Sequence, residues 1–250
     1  MSTHTDVFSG HADGRVPVDG ELIRWRGAVA AAGWAALASV ALTFVQVWLY
    51  VQWPPPDTVD GFYALFADNP FLGLASLDLL YIANNLLVLL VYLGLFLVLR
   101  RSYPSTVTIG LLLGAVGMAA YMASNTAFEM LSLANAYAAA DATGRIALLG
   151  AGEAMLAVFT GTAFDIYYIL SGITLFLFAG AVFASERFSR ATGVWGLIAA
   201  GFMMVPSTAG TIGMIFALGS LVPWVIFAML AGRQLLRLGP VTLVVMVAGR

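Results

Sequence analysis

Six apolar runs, separated by short polar or proline-bearing intervals, organise this chain between residues 25 and 230. They cover about Trp25 to Tyr50, Phe71 to Leu99, Ser105 to Leu133, Gly152 to Ser185, Ala191 to Val205 and Ile212 to Leu230. A helix needs roughly 20 apolar residues to cross a hydrocarbon layer about 30 Å thick, and most of the runs meet that length. The pattern predicts an all-α, polytopic membrane helix bundle over residues 23–238, with six transmembrane helices. Residues 1–22 are polar and aperiodic, so a disordered tail is expected there. That tail does not read as a cleavable signal, because the apolar run that follows begins too late and continues too long. Residues 239–250 read as a short apolar tail whose stretch from Val241 to Ala248 is too short to span.

Prolines punctuate the runs. Pro54-Pro55-Pro56 ends the first, Pro104 opens the third, Pro206 stops the short, glycine-broken fifth, and Pro223 is expected to bend the sixth. The interval before Pro70 carries Asp57, Asp60 and Asp68 and no base; its middle, Gly61 to Phe66, reads as an interfacial turn. Residues 134–152 read as an Ala-rich loop with helical extensions at its ends. Gly110 and Gly114 are a close-packing signal for helix pairs.

Charge fixes the expected orientation. Arg15, Arg24, Arg26, Arg100, Arg101, Arg187, Arg190, Arg233 and Arg237 all fall on one side of a six-span arrangement, and Arg145 alone on the other. Cytoplasmic loops carry the excess of basic residues, so both termini are expected in the cytoplasm. Only 10% of residues are charged, against about 25% in soluble domains, which removes a soluble fold from consideration.

What is missing narrows the chemistry. There is no cysteine and no lysine, and the two histidines, His4 and His11, lie in the polar tail. A retinal Schiff base has no lysine to form on. Bis-histidine haem, intramembrane zinc hydrolysis and Ser-His proteolysis all lack their histidines. No cofactor and no metal centre are expected, nor a nucleic-acid partner; the bilayer is the expected surrounding.

Candidate chemistry therefore falls on carboxylates within the apolar runs. An acid at bilayer depth costs roughly 2.5–3.5 kcal/mol on insertion scales and calls for a reason. Ser124-Asn125-Thr126-Ala127-Phe128-Glu129 ends one run, and a partial echo, Gly161-Thr162-Ala163-Phe164-Asp165, lies in the next. Gly117, Tyr121, Asn125 and Glu129 follow four-residue steps and form one stripe. Asp78 and Asn85 are seven apart and share a face, as do Asp165 and Tyr168, while Glu153 sits near the mouth of the fourth run. At about 1.5 Å per residue, Asp78, Glu129, Asn125 and Asp165 come out roughly 10, 6, 12 and 15 Å below the outer boundary. The expectation is an outward-facing acidic pocket with no basic counterpart, drawing on Asp78, Asn85, Tyr121, Asn125, Glu129, Glu153, Asp165 and Tyr168. Trp195 and Trp224 read as interface or core residues.

At these words the chain resembles the bacterial membrane proteins grouped as domain-of-unknown-function family 4386. The likeness rests on Ser124 to Met130, on Arg145 to Leu156 with Gly152-Glu153-Ala154, on Gly161 to Phe164, and on Phe188-Ser189-Arg190. It covers roughly residues 25–237 and implies a multi-span helical bundle in a bacterial plasma membrane, with no catalytic residue to carry over.

Three functions fit these residues. One is a carrier or receptor whose acidic pocket takes a cation, a proton, or a small amine or lipid-like molecule. Another is a structural or regulatory membrane subunit whose polar groups only lock helices together; acids pointing apart, each tied to a hydroxyl or to backbone, would favour it. The third, a carboxylate-based membrane enzyme, is weakened by the lack of histidine at depth. Oligomeric state is left open by the sequence.

Overall fold

The structure is a computed structural model that describes residues 24–239. The described residues form helices joined by short irregular links, without a strand, and divide into a bundle and a cap. The bundle contains α1 (Arg26–Gln52), α4 (Leu79–Leu99), α5 (Pro104–Ser124), α8 (Thr162–Ala184), α9 (Arg190–Phe202) and α10 (Gly210–Leu238). The cap contains α2 (Val59–Asp68), α3 (Pro70–Ser76), α6 (Ala127–Ala139) and α7 (Ala142–Phe159). The tail expected over 1–22, and all but Gly239 of the one expected over 239–250, lie outside the described residues.

Small residues let the bundle helices approach closely. A Cβ on Gly94 would fall 2.3 Å from the Ala32 methyl, one on Gly232 2.8 Å from the Ala36 methyl, and one on Gly114 2.9 Å from Thr174. Membrane helices associate largely through such backbone approach, because lipid offers no hydrophobic drive between them. Between these contacts lies a core of Val91, Leu95, Leu99, Phe178, Phe227 and Leu235, all fully or almost fully buried. The outer faces of α1, α5 and α10 expose Trp34, Phe44, Leu112, Val116, Ile215 and Val222, as a lipid-facing surface does.

Among the described residues, five segments are long and apolar enough to cross a membrane: Arg26–Gln52, Leu79–Leu99, Pro104–Ala139, Ala142–Ala184 and Gly210–Leu238. The last but two and the last but one hold 36 and 43 residues, about 54 and 65 Å of straight helix, far more than a hydrocarbon core needs. Each breaks instead. Asn125 and Thr126 end α5 and start α6, while Thr160 and Gly161 separate α7 from α8. The expected second run breaks too, at Leu77-Asp78, so that α3 turns into the cap. The interval 134–152, expected as a loop, is helical except around Ala140-Asp141.

The cap has its own core of Val59, Phe62, Tyr63, Phe66, Leu77, Ala127, Met130 and Ala134. Capping side chains start its helices: Thr58 accepts from the Gly61 amide, Asn69 from Leu72 and Asp141 from Gly144. Proline at the first position of α3 and of α5 suits a helix start, where its missing N–H costs nothing.

The expected fifth span is α9, whose 13 residues rise only about 20 Å. After it, residues 203–209 are irregular, and Pro206 and Ser207 fold back against Gly213 in the first turn of α10. Pro223 stands inside α10 and removes one of its backbone hydrogen bonds.

Candidate functional site

Asp78 is the one non-glycine residue with positive φ among those described, at φ 61°. Asp and Asn tolerate this left-handed conformation better than other side chains, and it turns the chain from α3 into α4. The turn is held from three sides. Tyr50, near the end of α1, donates its hydroxyl to the Asp78 carboxylate in a short hydrogen bond. Asn125 donates from Nδ2 to the Leu77 carbonyl at 2.7 Å and accepts from the Ala127 amide at 3.2 Å. Tyr121, fully buried, reaches the Asp78 carbonyl at 3.5 Å. At the N-terminus of a 21-residue helix the carboxylate meets the positive end of the helix dipole.

Below this turn the bundle holds a partly open cavity of about 280 Å³, just under the usual range for ligand pockets. Thr43, Gln46 and Tyr50 of α1 line one wall, and Asp78 with Tyr81, Asn84, Asn85 and Tyr92 of α4 the next. Phe164, Tyr167, Tyr168 and Ser171 of α8 face them, and Ser220 and Trp224 of α10 close the far side. Met203, at the start of the irregular segment after α9, also contributes. Val47 and Leu218, both with exposed side chains, mark the rim between α1 and α10.

Some of its polar atoms are satisfied within the protein. Ser39 donates to Asn84 Oδ1 at 2.7 Å, Tyr167 to Asn85 Oδ1 at 3.0 Å, and Gln46 Nε2 to the Ala75 carbonyl at 3.3 Å. Three are not. Gln46 Oε1, Asn85 Nδ2 and Ser171 Oγ are buried and have no protein partner, on residues that are 6%, 2% and 6% exposed. Buried polar groups nearly always have a partner, whether protein, water or ligand. All three belong to residues that line the cavity: one acceptor, one donor and one hydroxyl.

The expected pocket of acids does not form. Glu129 and Glu153 lie exposed on the cap helices α6 and α7. Asp165, in the first turn of α8, accepts a hydrogen bond from Thr208 at 2.6 Å. Both Thr-Ala-Phe words sit at helix starts, with Glu129 and Asp165 in the first turn, where a carboxylate gains about 0.3–1 kcal/mol from the dipole. The depths read from the sequence assumed unbroken spans, whereas Glu129 lies beyond the break at Asn125-Thr126. Asp78, Asn85 and Tyr168 do meet at the cavity; Tyr121 and Asn125 support it from behind.

Several lining residues were not among the expected site residues. Thr43, Gln46 and Tyr50 repeat at three- and four-residue steps along one face of α1, with Ser39 one turn before them, a polar stripe in an apolar helix. Tyr81 and Asn84, beside the expected Asn85, and Tyr167 with Ser171 repeat the pattern on α4 and α8. Trp224, expected as interface or core, lines the cavity.

The chain matches no family model, no curated protein and no solved structure. The functional reading rests on the cavity itself.

Proposed function

We propose that this chain is a multi-pass protein of a bacterial plasma membrane that binds a small molecule in the cavity beside Asp78, as a carrier or a receptor. The observation that carries the proposal is the set of three buried polar atoms without a protein partner around a cavity that also holds a carboxylate. Such groups are costly to bury unmatched, by about 1–3 kcal/mol each, unless something polar enters. The bacterial setting in this proposal comes from the resemblance to domain-of-unknown-function family 4386.

The proposal includes six crossings with both ends in the cytoplasm. Helix α9 and the irregular segment 203–209 together make the fifth, a broken crossing beside the cavity, where non-helical backbone at membrane depth is tolerated. Gly239 packs against the backbone of Arg26 and Ala30, so the first and last described helices end together. Arginines 24, 26, 100, 101, 187, 190, 233 and 237 cluster at that end, and the cap carries Asp57, Asp60, Asp68, Glu129, Asp141 and Glu153 against Arg145. That asymmetry supports a cap on the outer side.

Thermal unfolding of the purified protein tests the binding reading. A panel of small organic cations and neutral amphiphiles is compared on wild type and on Ser171→Trp, whose indole fills the cavity. At least one compound raises the wild-type midpoint and leaves the variant unmoved. A panel that moves both equally, or neither, contradicts binding in this cavity.

A second reading has its own support. Asp165 is tied to Thr208, Asn125 to the Leu77 carbonyl, and Asn84 to Ser39, each a lock between elements. A structural or regulatory subunit would use its polar residues in this way, and the panel separates the two readings. No residue set in the cavity favours a carboxylate-based enzyme.

A further inference from the structure

We propose that the occupant of the cavity is a compact organic ammonium ion with an aromatic or apolar body and a second, hydrogen-bonding group. This rests on the binding reading above and goes further, to the ligand's chemistry.

The lining carries one carboxylate, Asp78, and no basic side chain. An anionic ligand would meet the carboxylate's repulsion there, and a neutral one would leave its charge unbalanced. Tyr50 already occupies one oxygen of that carboxylate. Hard metal ions collect about six or more oxygen ligands, whereas this cavity offers ring faces. Tyr81, Tyr167, Tyr168, Phe164 and Trp224 surround the space. Aromatic faces attract a cation by about 0.5–2 kcal/mol each, most where water is excluded, and cages of them recognise organic ammonium groups.

The unpartnered atoms define the rest of the molecule. Gln46 Oε1 accepts and lies on the same helix as Tyr50, one turn away. It lines the same cavity as the Asp78 carboxylate that would hold the ammonium. Asn85 Nδ2 donates, two turns into α4 from Asp78. It calls for an acceptor on the ligand, such as a hydroxyl or carbonyl oxygen, and Ser171 Oγ can complete that contact. The exposed apolar rim of Val47 and Leu218 gives such an amphiphile a way in from lipid.

The test uses three probes of similar shape on the purified full chain: 2-phenylethylamine, its neutral analogue 2-phenylethanol, and the anion 3-phenylpropionate. Midpoints of thermal unfolding are read for wild type, Asp78→Asn and Ser171→Trp. Asparagine keeps an acceptor for Tyr50 and tolerates the left-handed backbone, so Asp78→Asn removes the charge without unfolding the turn. The amine raises the wild-type midpoint more than the alcohol, and the anion leaves it unmoved. Asp78→Asn weakens apparent amine affinity by roughly tenfold or more, as the loss of a charge-assisted hydrogen bond does. If the alcohol or the anion stabilises wild type as well as the amine does, and Ser171→Trp abolishes that shift, the cavity binds but the ammonium assignment is wrong. If no probe separates wild type from Ser171→Trp, the binding reading falls with it.

Discussion

At the scale of single residues, Asp78 joins backbone and chemistry. Its φ of 61° costs an ordinary side chain about 1–2 kcal/mol, and its carboxylate satisfies the Tyr50 hydroxyl. Asp78→Ala therefore loses roughly 2–4 kcal/mol in reversible unfolding, the sum of backbone strain and an unmatched hydroxyl, whereas Asp78→Asn loses much less. Equal stability of the two variants would remove the structural half of the argument. In the cap, Tyr63 is buried and donates to the Leu148 carbonyl at 2.8 Å. Burial, then Tyr137 and then Asp60, raise its phenol pKa above 10.0. The unfolded chain therefore ionises this phenol first. Its contribution to stability is whole below pH 10.0 and falls as pH rises toward the folded value. Tyr63→Phe is less stable at neutral pH but loses less on going above pH 10, as unfolding midpoints across that range would register. A parallel decline in both proteins would show that Tyr63 does not report the alkaline transition.

At the scale of elements, helix ends decide most of what the sequence left hidden. The apolar runs are legible because side chains facing lipid and side chains facing the core are both apolar. For the same reason the runs do not show where a helix stops being a span. Asn125-Thr126 and Thr160-Gly161 lie inside runs that read as continuous spans, yet they are junctions between bundle and cap. Thr126 followed three residues later by Glu129 has the spacing of a helix start, and that signal competes with the reading of a buried acid. Only a small part of the cavity lining was legible: Asp78, Asn85 and Tyr168 stood out, but tyrosines and serines in apolar helices look like packing until their neighbours are known. Glycine contacts give a sharper expectation. A Cβ at Gly193 would fall 2.5 Å from the Phe183 Cα, so Gly193→Ala forces α8 and α9 apart and costs about 1–3 kcal/mol. Gly180 meets nothing within 4 Å, so Gly180→Ala gains about 0.5–1 kcal/mol from helix propensity. Matched thermal scans of the two variants should move in opposite directions; shifts of the same sign would argue against this packing.

At the scale of the whole molecule, the charge distribution and the two-layer build belong together. The acid-rich cap stands over the end of the bundle where Asp78 turns, and arginines gather at the other end. The chain has no native cysteine, which makes labelling direct. Thr143→Cys, exposed at the start of α7, reacts with a membrane-impermeant maleimide on intact cells. Ser102→Cys, exposed between α4 and α5, reacts only after permeabilisation. The reverse pattern would invert the topology, and labelling of both would place one of these loops on the wrong side of the bilayer. The most direct measurement of the central claim is equilibrium dialysis of labelled 2-phenylethylamine against wild-type and Ser171→Trp protein in detergent. A single saturable site in wild type, absent from the filled variant and displaced poorly by 2-phenylethanol, is the predicted result. Equal uptake by both proteins, or uptake by neither, would contradict it.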